Sequence, residues 1–253
     1  MRLHHRLDGP EGAPVLVLAS SLGTTHAMWD PQMPALGERF RVLRFDTRGH
    51  GDSPAPPGPY SIAELGSDAL ELLADLGLER VSWCGLSLGG MLGMWVASEQ
   101  PARLERLVLA CTSAHFPPPE MWDERAQDAR EKGMAALAEA SLDRWLTPEF
   151  RDERPHVADW LRAMVAATPG EGYASCCEAI RDMDQFERLP RIAAPTLVIA
   201  ADDDPSTPPA VHVQPIADAI PGARMTVLEG ARHLANVEQP DAFTRAMLEH
   251  LDA

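Results

Sequence analysis

The stretch Val81-Ser82-Trp83-Cys84-Gly85-Leu86-Ser87-Leu88-Gly89-Gly90 is an apolar strand pattern that runs into G-x-S-x-G and on into an apolar helix pattern. With Gly and Ser each near 7% of residues, the three fixed positions arise by chance in roughly 8% of chains this long, so context has to carry the reading. A strand, a tight turn and a helix meeting at this serine describe a nucleophile elbow. The turn exposes a strained Ser87, and the helix N-terminus aims backbone amides at a developing oxyanion. Gly85 and Gly89 fit that turn, because a Cβ at either position would collide with passing backbone. The competing reading is an ordinary βα turn with an incidental serine, and residues further along the chain decide between them.

An elbow serine needs an acid and then a histidine, in that chain order. After the strand pattern Pro195-Thr-Leu-Val-Ile-Ala200 comes Ala201-Asp202-Asp203-Asp204-Pro205, a carboxylate-rich turn at a strand's C-terminal end, where open α/β sheets place functional groups. After Met225-Thr-Val-Leu-Glu-Gly230 comes Ala231-Arg232-His233-Leu234, a loop histidine ahead of the final helix. The chain has nine histidines, but His233 is the one placed directly after the last strand pattern. Order alone leaves all three acids, Asp202, Asp203 and Asp204, open.

The surrounding rhythm is that of an α/β fold with a mostly parallel sheet. Strands are predicted at Val15–Leu18, Arg41–Phe45, Val81–Cys84, Leu107–Ala110, Thr196–Ala200 and Met225–Leu228. Helices are predicted at Ile62–Leu76, Leu88–Ser98, Ala210–Ala219 and Pro240–Leu251. From Phe116 to Phe186 the alternation stops, leaving amphipathic helix patterns separated by Pro and Gly. This divides the chain into a core of residues 1–115 and 187–253 interrupted by a helical insertion at 116–186. Met91 and Met94, at i,i+3 after the elbow, read as core packing, as do the adjacent Cys176 and Cys177.

Composition removes several function classes. A chain of 253 residues, 45% hydrophobic and 24% charged, can bury one large core. Lys plus Arg number 22 against 38 Asp plus Glu, a net charge of −16 that repels phosphate backbones and anionic lipid, so no nucleic-acid or membrane partner is expected. Lys132 is the only lysine, which argues against Schiff-base chemistry. The cysteines, Cys84, Cys111, Cys176 and Cys177, form no CxxC pair and no zinc-ligand spacing, so they read as reduced thiols of a cytoplasmic protein. The first apolar run, about six residues, is too short for a signal or membrane span.

Taken together, GLSLGG at the elbow, DTRGHGDS at Asp46–Ser53, the acid turn and the His233 loop resemble the α/β-hydrolase superfamily over nearly the whole chain. Three segments are more narrowly similar to the 3-oxoadipate enol-lactonases: SSLGTTHAMWD (Ser20–Asp30), GYASCCEAIRDMD (Gly172–Asp184) and HLANVEQPDAF (His233–Phe243). The resemblance implies an α/β-hydrolase fold whose insertion is a cap. It implies a Ser87, Asp204, His233 triad, with Asp204 selected among the acids because it precedes Pro205 and Thr207-Pro208. Many relatives carry His-Gly where this chain has Ser20-Ser21. The oxyanion donors are still expected at the backbone amides of Leu22 and Leu88, since a main-chain N–H does not depend on its side chain.

The implied reaction is opening of 3-oxoadipate enol-lactone through an acyl-enzyme, with no metal and no organic cofactor. The implied partner is a small-molecule lactone or ester that bears a carboxylate. A cap arginine would anchor that group through paired guanidinium hydrogen bonds. Arg144 and Arg181 are the candidates, with Trp122 and Trp145 walling the pocket. The same machinery also suits a general carboxylesterase or lactonase, a carbon–carbon bond hydrolase, or a hydrolase-fold binding protein without turnover. Nothing in the residues sets an oligomeric state.

Overall fold

A computed structural model describes residues 1–253. Seven strands form one sheet: β1 (His5–Asp8), β2 (Val15–Ala19), β3 (Arg41–Phe45), β4 (Val81–Leu86), β5 (Leu104–Ala110), β6 (Thr196–Ala201) and β7 (Arg224–Leu228). Their order is β1-β3-β2-β4-β5-β6-β7, and every pairing is parallel except β1 with β3. The helices are α1 (Met33–Leu36), α2 (Ile62–Asp75), α3 (Leu88–Glu99), α4 (Pro119–Lys132), α5 (Met134–Trp145), α6 (Pro148–Glu153), α7 (Pro155–Ala167), α8 (Gly170–Arg181), α9 (Gln214–Ala219), α10 (Ala235–Glu238) and α11 (Pro240–Leu251).

Each element follows from its residues. Every residue of β4 is buried, as expected of a central parallel strand covered on both faces. Ser61 caps α2 in a reciprocal box with Glu64, and Ile62, Leu65, Ala69, Leu72 and Leu73 turn its apolar stripe inward. Strand β1 has no counterpart among the predicted strands. It is a short, half-polar antiparallel edge whose four residues carry no apolar alternation. The predicted helix at Ala210–Ala219 divides into a wide turn at Pro209–Val213, closed by the Gln214 amide on the Pro209 carbonyl, and then α9. Pro215 fits the break, because it has no N–H to donate into a continuous helical ladder and is tolerated only in a helix's first turn.

Between β5 and β6 the elements are helices, closed at their base by a single antiparallel bridge between His115 and Asp184. Proline or glycine marks their boundaries: Pro119, Pro148 and Pro155 begin α4, α6 and α7, and Gly133 precedes α5 at φ 76°. Helix α4 packs on α8 and α5 packs on α7. The layer rests on the loop after β3 at one point of backbone contact. A Cβ on Gly49 would lie 2.6 Å from the Gly172 Cα, and one on Gly172 would lie 2.4 Å from the Gly49 Cα. Beside it the Cys176 thiol donates to the Arg48 carbonyl at 3.7 Å.

The sheet order reverses at β2. The chain goes from β2 outward to β3, then returns to β4 on the other side and proceeds to β7. At such a reversal the loops leaving the two neighbouring strands diverge and open a crevice at their C-terminal ends. The turns after β2 and β4 carry Leu22 and Ser87 to that crevice, and the helical layer covers it.

Candidate active site

Ser87 occupies the turn between β4 and α3 at φ 55°, ψ −115°, one of two non-glycine residues with positive φ. That geometry costs on the order of 1–3 kcal/mol and persists only where surrounding structure imposes it. Here the backbone does so. Ser87 N donates to the Ala110 carbonyl at 2.9 Å, and Thr112 Oγ1 donates to the Ser87 carbonyl at 2.7 Å. A Cβ on Gly85 would lie 2.0 Å from the Gly89 carbonyl oxygen, and one on Gly89 would lie 2.1 Å from that of Ala19, so glycine at both places lets strand, turn and helix close on one another.

The three acids after β6 go to different partners. Asp202 accepts from the Gly230 amide at 2.8 Å, and Asp203 from Arg232 Nε at 2.9 Å. Asp204 alone meets the imidazole: its Oδ2 accepts from His233 Nδ1 at 2.8 Å and from Thr207 Oγ1, and its Oδ1 accepts from the Ser206 amide at 2.8 Å. Burial pushes this carboxyl upward, but the neighbouring His233 and the hydrogen bonds from His233 and Thr207 outweigh it, and the net effect holds it below the ordinary carboxylate range. With Nδ1 committed to Asp204, Nε2 is the nitrogen His233 has left for the cavity it shares with Ser87.

Backbone amides in the turn after β2 are similarly sorted. Ser21 N donates to the Met28 sulfur at 3.3 Å and Gly23 N to His50 Nε2 at 2.9 Å. The Leu22 amide between them donates to no protein acceptor, and neither does that of Leu88 at the start of α3. His50 is buried, which pushes its pKa down and favours the neutral ring whose Nε2 can accept from Gly23. No role for His50 follows from the chain alone, and its place within DTRGHGDS is the signal that points to it.

The cavity has two walls. Ser21, Leu22, Ser87, Ser206 and His233 form the sheet side, and Phe116, Trp122, Arg125, Trp145 and Ile180 form the helical side. Trp122 stacks edge-on against Phe116 and donates to its carbonyl at 3.1 Å, and Phe116 lies over the His212 ring. Both predicted tryptophans therefore reach the cavity. Of the predicted arginines, Arg181 does not: it turns outward to pair with Asp123 and Asp182. Arg144 stands behind the wall, its Nη2 3.3 Å from Ser141 Oγ and its buried Nε without an acceptor. Burial and the nearby Arg125 both push Arg144 below the usual guanidinium range.

Arg125 is the lining cation that sequence reading missed. Its guanidinium sits 4.7 Å from the Trp122 ring centroid and donates to the Tyr173 hydroxyl at 2.8 Å. The i,i+3 spacing from Trp122 would have placed both on one helix face. A further residue without a sequence signal is Glu238, nearly buried, which accepts from Thr147 N at 2.7 Å, Thr147 Oγ1 at 2.8 Å and Arg232 N at 2.5 Å. It ties the start of α6 to the loop that carries His233, and burial raises its pKa.

One cluster has metal-ligand chemistry: His4, His26 and Asp46, far apart in sequence and hence invisible there. Both rings place Nδ1 on Asp46, at 2.8 and 2.9 Å, and its oxygens also accept from the amides of His26 at 2.7 Å and Asp52 at 3.2 Å. A carboxylate so fully occupied by protein donors serves as the hub of the Asp46–Ser53 loop.

A family model of the alpha/beta hydrolase fold matches residues 14–240. The chain belongs to the α/β-hydrolase family. Among its relatives is 3-oxoadipate enol-lactonase 2 of Acinetobacter baylyi, 39% identical over 245 residues that cover 97% of this chain and 91% of that one. Among solved structures, the enol-lactonase from Burkholderia xenovorans LB400 superposes with a TM-score of 0.97 at 45% identity, covering 99% and 96% of the two chains. A thermophilic esterase from Thermogutta terrifontis, in a malate-bound structure, matches with a TM-score of 0.92 at 30% identity, covering 99% and 93%. This α/β-hydrolase is a hydrolytic enzyme whose resemblance to the enol-lactonases spans both the sheet and the helical layer, and none of its helices is long and apolar enough to cross a membrane.

Proposed function

We propose that this hydrolase opens 3-oxoadipate enol-lactone to 3-oxoadipate through an acyl-enzyme, with Ser87 as nucleophile, His233 as general base and then acid, and Asp204 as the group that orients and charges-balances the imidazole. The observation that carries the reading is the His233–Asp204 pair, 2.8 Å apart, sharing one cavity with a serine held on a strained elbow. The likeness to enol-lactonases at 39% and 45% identity supports the substrate. Residues 116–186 serve as a cap on a core of 1–115 and 187–253. Four free, buried cysteines fit a cytoplasmic setting.

In this mechanism His233 Nε2 takes the Ser87 proton as Oγ attacks the lactone carbonyl, while ionised Asp204 stabilises the imidazolium. The free amides of Leu22 and Leu88 receive the oxyanion, each such donor contributing about 2.7–4 kcal/mol in comparable sites. Collapse breaks the acyl–oxygen bond. The ring oxygen leaves as an enol that stays tethered and could attack back at high effective concentration. Tautomerisation to the ketone removes that nucleophile, and water activated by His233 then releases the acid.

The test is the ultraviolet decay of freshly generated enol-lactone with wild-type protein and Ser87→Ala, with p-nitrophenyl acetate in parallel. Rapid lactone loss abolished in the variant is expected. Fast ester cleavage with the lactone untouched would make the chain a general esterase, and inertness toward both would make it a binding protein.

A further inference from the structure

The segment leaving β5 meets all three turns that carry Ser87, Asp204 and His233. The Ala110 carbonyl accepts from Ser87 N at 2.9 Å, and Thr112 Oγ1 donates to the Ser87 carbonyl at 2.7 Å. Between them stands Cys111, whose N–H still joins the sheet by donating to the Ile199 carbonyl at 2.9 Å. Its sulfur is turned toward the backbone amides of Ala201, at the end of β6, and of Ala235, at the start of α10 just beyond His233. The acid turn hangs from the first of these, since Asp204 N donates to the Ala201 carbonyl at 3.4 Å. Ala110, Cys111 and Thr112 are all fully buried.

The peptide planes on either side of a residue define its torsions, and both planes of Ser87 are gripped from this one segment. In an extended strand a carbonyl lies in the plane of the sheet, while side chains stand perpendicular to it. The carbonyl of residue 110 and the side chain of residue 112 can therefore reach the same serine only if the chain turns between them. Cys111 makes that turn at φ 42°, which leaves it and Ser87 as the two non-glycine residues with positive φ. Glycine would adopt this conformation without the penalty that a Cβ brings. A side chain is nevertheless present, and it is the one that faces the acid and histidine loops. Helix α3 makes room for the grip, because a Cβ on Gly90 would lie 2.8 Å from Thr112 Oγ1.

We propose that Cys111 and Thr112 are positioning residues of the reaction: Thr112 clasps the carbonyl of the nucleophile, Cys111 wedges against the acid and histidine loops, and together they set the distance from Ser87 to His233. This rests on the reading of Ser87 as nucleophile in the proposed function, and it is independent of which lactone or ester is cleaved. Both residues lie outside the cavity lining, so their loss falls on kcat and leaves KM in place. Core packing alone would require the shape of Thr112 and not its hydroxyl.

The test uses the full-length chain and a fluorophosphonate, which phosphonylates an activated serine with loss of fluoride and needs no turnover, alongside kcat and KM for p-nitrophenyl acetate. Thr112→Val keeps the shape and removes the hydroxyl. Its rate of Ser87 labelling and its kcat should each fall about 100-fold, as for a misplacement of roughly 1 Å, with KM unchanged. Thr112→Ser should recover most of that loss. Cys111→Ala, which keeps the Thr112 hydrogen bond and gives an independent readout where Thr112→Val does not fold, should lose about 10-fold. The double variant should lose no more than Thr112→Val alone, because residues acting as one unit are not additive. Ser98→Ala removes another buried hydroxyl near the far end of α3, where it donates to the Trp95 carbonyl at 2.9 Å, and should leave labelling unchanged. Wild-type labelling rates in Thr112→Val or Cys111→Ala, equal losses in Thr112→Ser and Thr112→Val, or a double variant that shows the product of the single losses overturns the proposal and leaves the proposed function standing. A wild-type chain that resists the reagent, or is labelled at another serine, overturns the proposed function and this proposal with it.

Discussion

The sheet wall and the helical wall of the cavity are held in place by different forces. On the sheet side, position is a property of main chain: Ser87 is pinned through its own N–H and carbonyl, Leu22 is flanked by two committed amides, and Gly85 and Gly89 leave no room for any other backbone path. On the helical side, position is a property of side chains. Arg125 rests on Trp122 and Tyr173, while four outer arginines tie helices together through carboxylates. Main chain tolerates almost no change, so it suits the part of a reaction common to all substrates. Side-chain contacts can be replaced singly, so they suit selection among substrates.

The largest expected effect lies on the sheet side. Ser87→Ala should lower kcat at least about 10⁴-fold while the melting transition stays in place, since backbone contacts hold the turn. Comparable melting but ordinary activity would remove Ser87 from the chemistry. Gly89→Ala should follow, destabilising the fold by about 4 kcal/mol in urea titration, because its Cβ would lie 2.1 Å from a carbonyl oxygen.

A smaller effect tests the hub of the loop beneath the helical layer. Burial pushes the Asp46 carboxyl up, but hydrogen bonds from the ring and amide of His26 and from His4 outweigh it and hold it at about 2. A depressed carboxylate stabilises the fold above its ordinary range near pH 4, and that stabilisation is lost as pH falls through the folded value. Asp46→Asn should therefore cost about 2 kcal/mol near neutrality, with the gap to wild type closing between about pH 4 and pH 2 in denaturant titrations. A gap that persists at pH 2 would assign the loss to packing. Smallest of all, Arg181→Met should change stability by less than about 0.5 kcal/mol, as for most solvent-facing pairs.

What could be read from the chain follows the same division. The elbow, the acid turn and the histidine loop are legible because main-chain demands appear as local patterns: glycines at fixed offsets, a strand before and a helix after; the choice of Asp204 among three adjacent acids rests on the family resemblance alone. The strand boundaries at Arg41–Phe45 and the helix at Pro240–Leu251 were legible for that reason too. Arg181 and Arg125 both sit on amphipathic helices rich in charge, and the one trace in the chain that separates them is the i,i+3 spacing of Arg125 from Trp122. Which one faces the cavity depends on how α4 and α8 rotate against each other. The Asp46 hub joins residues 4, 26 and 46, and Glu238 joins 147 and 232, so neither leaves a periodic trace. Strand β1 was missed because an antiparallel edge of four mixed residues gains its structure from β3 and not from its own pattern.

Glu238 has a mechanical meaning when set beside the glycine contact at the far end of the layer. Its carboxylate fastens α6 to the histidine loop, while Gly49 and Gly172 bring α8 and the loop after β3 into backbone contact. With the Arg232 guanidinium on the Asp143 carbonyl at 2.6 Å and the Gln185 amide on the Ala114 carbonyl at 2.9 Å, the layer is fastened at several separated points and resists tilting as a whole. Trp122 and Trp145 lie between these points, and the Trp145 carbonyl, which accepts from the Leu234 amide at 3.1 Å, keeps the cavity's helical wall in register with the histidine loop.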